Sequence, residues 1–184
     1  MQFKACMPVI APYKATGDTI SYEAGKRVGK LMKVDVAPAF DNIKVYADDG
    51  VAEHVNVFKS AAVTLGTNYI PSECETIMFG CKYDNQSKTK TDAADDDGSF
   101  VGFGSIYCKK IDSKDVYFME WLHKVKFALP SESRTTKGET TTFNTPSITG
   151  TAYADEKGDW RTTTQYESLD AAKTALLTKA NISA

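Results

Sequence analysis

The sequence predicts a mainly β chain: an antiparallel β-sandwich or partial barrel with one or two short helices, a projecting arm and long loops. Three observations lead there. Apolar residues alternate with period two over short segments bounded by Gly, Pro, Asn and Asp, the pattern of half-buried strands. Helical spacing is confined to two short stretches. The 184 residues, 42% hydrophobic and 25% charged, are enough for one core of ordinary size, so residues 1–184 are read as one domain.

Phe3 to Tyr13 is the first extended segment, and Pro8 and Pro12 within it argue for an edge or an arm. From Arg27 to Val36, the residues Val28, Met32, Val34 and Val36 are expected on one face. The stretch 37–54, from Ala37 through Asp48-Asp49-Gly50 to His54, reads as a long β-arm or hairpin leaving the body. Its apolar residues Phe40, Ile43, Val45 and Tyr46 favour an ordered contact, since long excursions from compact domains are usually functional or disordered. Val55, Val57, Ala61, Val63 and Leu65 are expected to share one face of a strand ending at Gly66. Pro71 or Ser72 opens a short helix that Gly80 stops.

Residues 82–99 (KYDNQSKTKTDAADDDGS) are polar and of low complexity, and are expected to be a variable solvated loop. Their Asp95-Asp96-Asp97 run lacks the residue order and terminal Glu of a calcium loop. Val101, Phe103 and Tyr107 share a face, and Ile111 to Asp115 is a hairpin turn. Between Val116 and Leu129 the odd positions Tyr117, Met119, Trp121, His123, Val125, Phe127 and Leu129 form the clearest apolar stripe. The threonine-rich remainder, with Thr140 to Thr142, Thr162 to Thr164 and intervening aromatics, reads as strands because threonine is β-branched. Glu156 to Asp159 is expected to be a turn, and Ser168 to cap a C-terminal helix over residues 168–180.

Composition removes several functions. Net charge is −2, with 22 Lys plus Arg against 24 Asp plus Glu, where a nucleic-acid clamp needs a basic excess. No apolar run approaches the roughly 20 residues of a membrane helix, and the opening residues do not read as a signal peptide. Cys6, Cys74, Cys81 and Cys108 show no metal-ligand spacing and read as buried thiols. With His54 and His123 as the only histidines, and no phosphate-loop, dinucleotide or metalloprotease motif, the chain is expected not to be an enzyme and to carry no cofactor or metal. His123 is expected to pack as a half-buried ring.

Several stretches go further than periodicity. They are Lys4-Ala5-Cys6-Met7-Pro8-Val9-Ile10-Ala11; Val34-Asp35-Val36-Ala37-Pro38 leading to Val45-Tyr46-Ala47-Asp48-Asp49-Gly50-Val51-Ala52-Glu53; and Val63-Thr64-Leu65-Gly66. They continue as Gly102-Phe103-Gly104 leading to Trp121-Leu122-His123-Lys124-Val125-Lys126-Phe127, then Thr136-Lys137-Gly138-Glu139, Phe143-Asn144-Thr145-Pro146, Gly150-Thr151-Ala152 and Gly158-Asp159-Trp160-Arg161. In this order, over nearly the whole chain, the sequence resembles the major tail proteins of long-tailed phages of Gram-positive hosts. Residues 82–99 depart from that likeness.

The resemblance implies a tail-tube protein: a structural virion subunit forming six-membered rings that stack into a hollow tube, through which double-stranded DNA passes without specific binding. It implies as partners further copies of the chain, a tape-measure protein, a tail terminator and distal tail or baseplate proteins, with no membrane insertion. The location implied is the virion tail, built in the bacterial cytoplasm. By the same likeness Phe40, Ile43, Tyr46, Asp48, Asp49 and Glu53 are expected at contacts between subunits or rings.

Other classes remain open from the residues. A carbohydrate-binding or adhesive β-sandwich would use Trp121, Trp160, Tyr117 and Tyr153 as stacking faces. A cysteine hydrolase would need Cys74 or Cys108 as a low-pKa thiol beside a histidine. Within the leading class, an infectious phage and a tail-derived bacteriocin share the same subunit logic.

Overall fold

The computed structural model describes residues 2–17, 19–47, 50–131 and 146–182. In chain order the elements are β1 (Gln2–Thr16), β2 (Thr19–Tyr22), β3 (Lys26–Arg27), β4 (Leu31–Ala47), β5 (Gly50–Thr67), α1 (Ser72–Phe79), β6 (Lys82–Asp84), β7 (Thr89–Thr91), β8 (Val101–Ile111), β9 (Lys114–Phe127), β10 (Ser147–Tyr153), β11 (Arg161–Tyr166) and α2 (Leu169–Lys179). The main sheet runs β2-β1-β8-β9-β10-β5-β4, with β3 also on β1 and β11 also on β9. Every pairing in it is antiparallel. The fold is therefore mainly β, as the alternation predicts.

The sheet curls on itself without closing. Ile10 of β1 and Val101 and Phe103 of β8 share one buried cluster with Ala61, Val63 and Leu65 of β5, although β5 lies several strands away. Cys74, Met78 and Phe79 of α1 fill the same interior. The terminal strands β2 and β4 are not paired with each other, so the result is a partial barrel. No helix among the described residues is long and apolar enough to cross a membrane.

A second cluster lies on the opposite face. Val9 and Ala11 of β1, Ile106 of β8 and Met119 and Trp121 of β9 pack beneath Ala172, Leu176 and Ala180. The Ser168 hydroxyl accepts from the Ala171 N–H at 3.2 Å, so the helix begins where its sequence predicts. Trp121 fits under α2 because β8 presents no side chain there. A Cβ on Gly102 would lie 2.4 Å from the indole, and one on Gly104 would lie 2.5 Å from both the indole and Leu176.

The odd-numbered stripe of β9 is two faces, not one. Val101 pairs with Val125 but Phe103 pairs with Leu122, so β9 carries one extra residue between those points. Such a bulge reverses the parity of everything beyond it. Met119 and Trp121 consequently face α2, while Leu122, Val125 and Phe127 face the interior of the curl. The same event occurs in the long hairpin: Ala39 pairs with Ser60 but Phe40 with Phe58. Val55 and Val57, expected on the face of Ala61, Val63 and Leu65, are instead 49% and 48% exposed.

Two further expectations are corrected. The segment from Arg27 to Val36 is broken at Gly29 (φ 54°), and a bulge between Leu31 and Lys33 turns Leu31 toward the core and leaves Met32 59% exposed. β1 is an interior strand despite its prolines. The carbonyls of Pro8 and Pro12 accept from Val28 and Glu23. A strand residue's N–H and C=O point the same way, so both missing donors face the short, interrupted β2–β3 side and spare the β8 ladder.

The helix α1 ends at Gly80, as expected, with φ 82°. Asp112 and Ser113, both at positive φ (47° and 66°), form the two-residue turn between β8 and β9. Residues 82–99 are not a plain loop. β6 and β7 form a hairpin whose turn is fixed by Asp84, which accepts from Gln86 N–H and the Ser87 hydroxyl at 2.8 and 2.6 Å. Thr162 to Thr164 lie in β11 as expected. The turn between Glu156 and Asp159 does not make β10 and β11 a hairpin, because both pair with successive parts of β9. Thr140, Thr141, Thr142 and Phe143 lie outside the described residues.

Candidate assembly surfaces

The arm is the β4–β5 hairpin. The pairing of β5 with β10 involves Ala61 to Gly66, and from Ala39 and Ser60 outward the hairpin pairs only with itself among the described residues. At a strand rise of about 3.3 Å per residue, the stretch from Ala39 to Ala47 reaches roughly 25 Å from the body. Its root is fixed by Phe58, which stacks on Trp160 at 4.6 Å and meets Phe40 edge to face at 5.8 Å.

Cross-strand partners share a face, so Ile43 lies beside its partner Val55, and Asp41 beside Val57. Phe40, Ile43, Val55 and Val57 are 48%, 54%, 49% and 48% exposed. That is an unusual concentration of exposed apolar residues on a two-stranded ribbon. Of the expected contact residues, Phe40 and Ile43 therefore sit in the open. Tyr46 and Glu53 lie in the strands opposite Val51 and Val45, and Asp48 and Asp49 are outside the described residues. Val55 and Val57 were missed as surface residues because the bulge hides their true parity.

A polar cleft of about 450 Å³ continues the interior face toward the β8–β9 turn. It is lined by Ala5, Val34 and Val36 on one side and by Ser105, Tyr107, Lys109, Glu120, Arg161 and Thr163 on the other. Glu120 meets Arg161 at 3.3 Å with its side chain 14% exposed. Burial pushes its carboxyl above the ordinary value, against the opposing pull of Arg161 and Lys109. The Lys109 ammonium lies 4.9 Å from the Phe118 ring centre and 5.4 Å from that of Tyr107. Sequence reading missed this cleft, because its residues come together only through pairing of β8, β9 and β11.

His123 is more than a packed ring. Its Nδ1 meets the Asp155 carboxylate at 2.7 Å and its Nε2 meets the Thr162 hydroxyl at 2.7 Å. Asp155 also accepts from Lys157 and Asp159 N–H, each at 2.9 Å. Burial raises the Asp155 carboxyl, but these hydrogen bonds outweigh it and hold it below the ordinary value. The order hydroxyl, imidazole, carboxylate is that of a nucleophile relay. Thr162 nevertheless does not line the polar cleft, and the constellation ties the turn after β10 to β9 and β11.

Asp155→Ala removes three buried hydrogen bonds and is expected to cost about 2–3 kcal/mol at pH 7. A carboxyl whose folded value is lowered contributes fully above its unfolded value, and that contribution is lost as pH falls through the folded one. The deficit measured by thermal denaturation should therefore shrink toward pH 3.

All four cysteines are free, and Cys74, Cys81 and Cys108 are buried. Burial, with Glu73 adding to it against Lys26, pushes the Cys74 thiol up to about 12, the reverse of an activated nucleophile. In a thiol-labelling time course at pH 8, Cys74 is expected to react only as fast as the protein unfolds; prompt modification in the folded state would contradict this packing. Asp97 pairs with Lys126 at 2.6 Å, Asp96 accepts from Ala93 N–H, and no group of three or more potential metal ligands occurs among the described residues. Of the aromatics suited to sugar stacking, Trp121 is fully buried, Trp160 is covered by Phe58 and Arg161, and Tyr153 is 41% exposed. Comparison with protein-family models and with curated proteins found no match for the chain.

Proposed function

We propose that this chain is the subunit of a phage-type tail tube: six copies form a ring, rings stack into a hollow conduit, and double-stranded DNA passes through it. The observation that carries this reading is the β4–β5 arm, which runs beyond the body with exposed apolar residues on a ribbon that, among the described residues, pairs only with itself. Exposed strand edges and apolar ribbons are a liability in a monomer and an asset in a ring, where neighbours satisfy them. The open curl supports the same reading, because its terminal strands β2 and β4 have unpaired outer edges within the described sheet. A net charge of −2 suits a conduit that must not grip phosphate.

The partners implied are other copies of the chain and the tape-measure, terminator and distal tail proteins that set tube length and ends, in a virion tail or a tail-derived bacteriocin. The protein's role is structural, and no reaction is assigned to it. Electron microscopy over a concentration series, with light scattering on the same samples, tests this. Hollow filaments with sixfold class averages are expected. Monomers persisting at high concentration, even with seeds from sheared tails, would refute it.

A further inference from the structure

We propose that the polar cleft between β4 and the β8–β9–β11 ribbon is a carboxylate receptor, filled by an acidic side chain of a second copy of this chain. The inference rests on the self-assembly reading above and assigns it a second contact surface, separate from the arm.

The lining has donors without a hydrogen-bond acceptor, although the Lys109 ammonium also rests on the Phe118 and Tyr107 rings. Among the described residues, Lys109 makes no ion pair and the hydroxyls of Ser105, Tyr107 and Thr163 make no hydrogen bond. Arg161 is engaged with Glu120, and Ser105 is 4% exposed. Two cations face one carboxylate, so the cleft carries net positive charge on a chain that is net acidic. A free phosphate would want several cations in a fork, and here the one guanidinium is already occupied. A carboxylate needs less: one ammonium and one or two hydroxyl donors. The opposite wall of Ala5, Val34 and Val36 is apolar and accommodates the aliphatic stem that carries the acid. The void of about 450 Å³ is several times the size of a carboxylate group, which fits a side chain entering with part of its backbone. Charge complementarity of this kind sets register and orientation between subunits more than it sets affinity.

Carbodiimide coupling on an assembled sample mixed from ¹⁴N- and ¹⁵N-labelled protein tests the receptor. The expected product is a mixed-isotope peptide pair joining Lys109 to an Asp or Glu, and its mass identifies the donor. Lys109 found unlinked, or linked only to Glu120 of its own chain, in samples that show tubes would overturn the receptor and leave the tube reading standing. The monomer gives an independent readout by NMR titration with glutarate and with inorganic phosphate. Saturable shifts of the Ser105, Lys109 and Thr163 amides with glutarate, weakened at least tenfold in Lys109→Met, support the receptor even where no tube forms. No saturable glutarate binding, or tighter binding of phosphate than of glutarate, overturns it. Thr163→Val provides a second variant on the same polar wall, contributed by β11, should Lys109→Met disturb the fold.

Discussion

Trp121→Ala is expected to destabilise the protein by about 3–5 kcal/mol, the upper range for loss of a buried aromatic. The site has little means of relaxing. The indole is fully buried and its floor is Gly102 and Gly104, which have no side chains to move into the void. Its roof is Leu176 of α2, and Tyr22 meets it edge to face at 4.9 Å. For a chain of this length 1 kcal/mol moves the midpoint by about 2–4 °C, so thermal denaturation should show a fall on the order of 10 °C or more. Trp121→Phe, which keeps a ring on the glycine floor, should lose less than half as much. Trp160 is the only other tryptophan, so the emission lost in either variant reports the Trp121 environment directly. A loss below about 1 kcal/mol in Trp121→Ala would mean that α2 does not rest on this residue.

The dependence of α2 on Trp121 was only half legible in the sequence. Alternation revealed the strands, Ser168 and Gly80 revealed where helices start and stop, and positive-φ turn chemistry placed the β8–β9 hairpin. These signals act over a few residues, and the structure obeys them. The misassigned strand faces share one physical cause. A single inserted residue near His123, or near Lys59 in the arm, reverses which parity faces inward, and nothing local announces the insertion. Gly102 and Gly104 were the available clue, since a strand that gives up side chains at alternate positions is making room for something large. Pro8 and Pro12 misled in the other direction, because they forbid donation toward one neighbour and not membership of the interior. The cleft was not legible at all: Lys109, Glu120, Arg161 and Thr163 are separated in sequence and meet only through two ladders.

The bulge in the arm also decides which residues an assembly must use. Ile43→Thr, Val55→Thr and Val57→Thr in combination are expected to abolish filaments while leaving the monomer's midpoint within about 2 °C of the parent. Threonine keeps the β-branch that the strands favour, so the ribbon is preserved and only its surface chemistry changes. The monomer has little to lose, because these side chains are about half exposed and belong to neither buried cluster. An assembly that buries them loses twice, through the apolar contact and through hydroxyls sealed without partners. At roughly 1 kcal/mol per residue the three together weaken each subunit contact by about two orders of magnitude. That loss recurs at every subunit of a ring and every ring of a filament. Tyr46→Ala is expected to act in the same direction with a smaller effect. Sedimentation over a concentration series separates the outcomes. Filaments at the parent's critical concentration would show that the exposed face of the arm stays in solvent, and the contact would then have to be sought at the β2 and β4 edges. Loss of filaments with an unchanged midpoint would assign the apolar ribbon to assembly, since among the described residues these side chains belong to neither buried cluster.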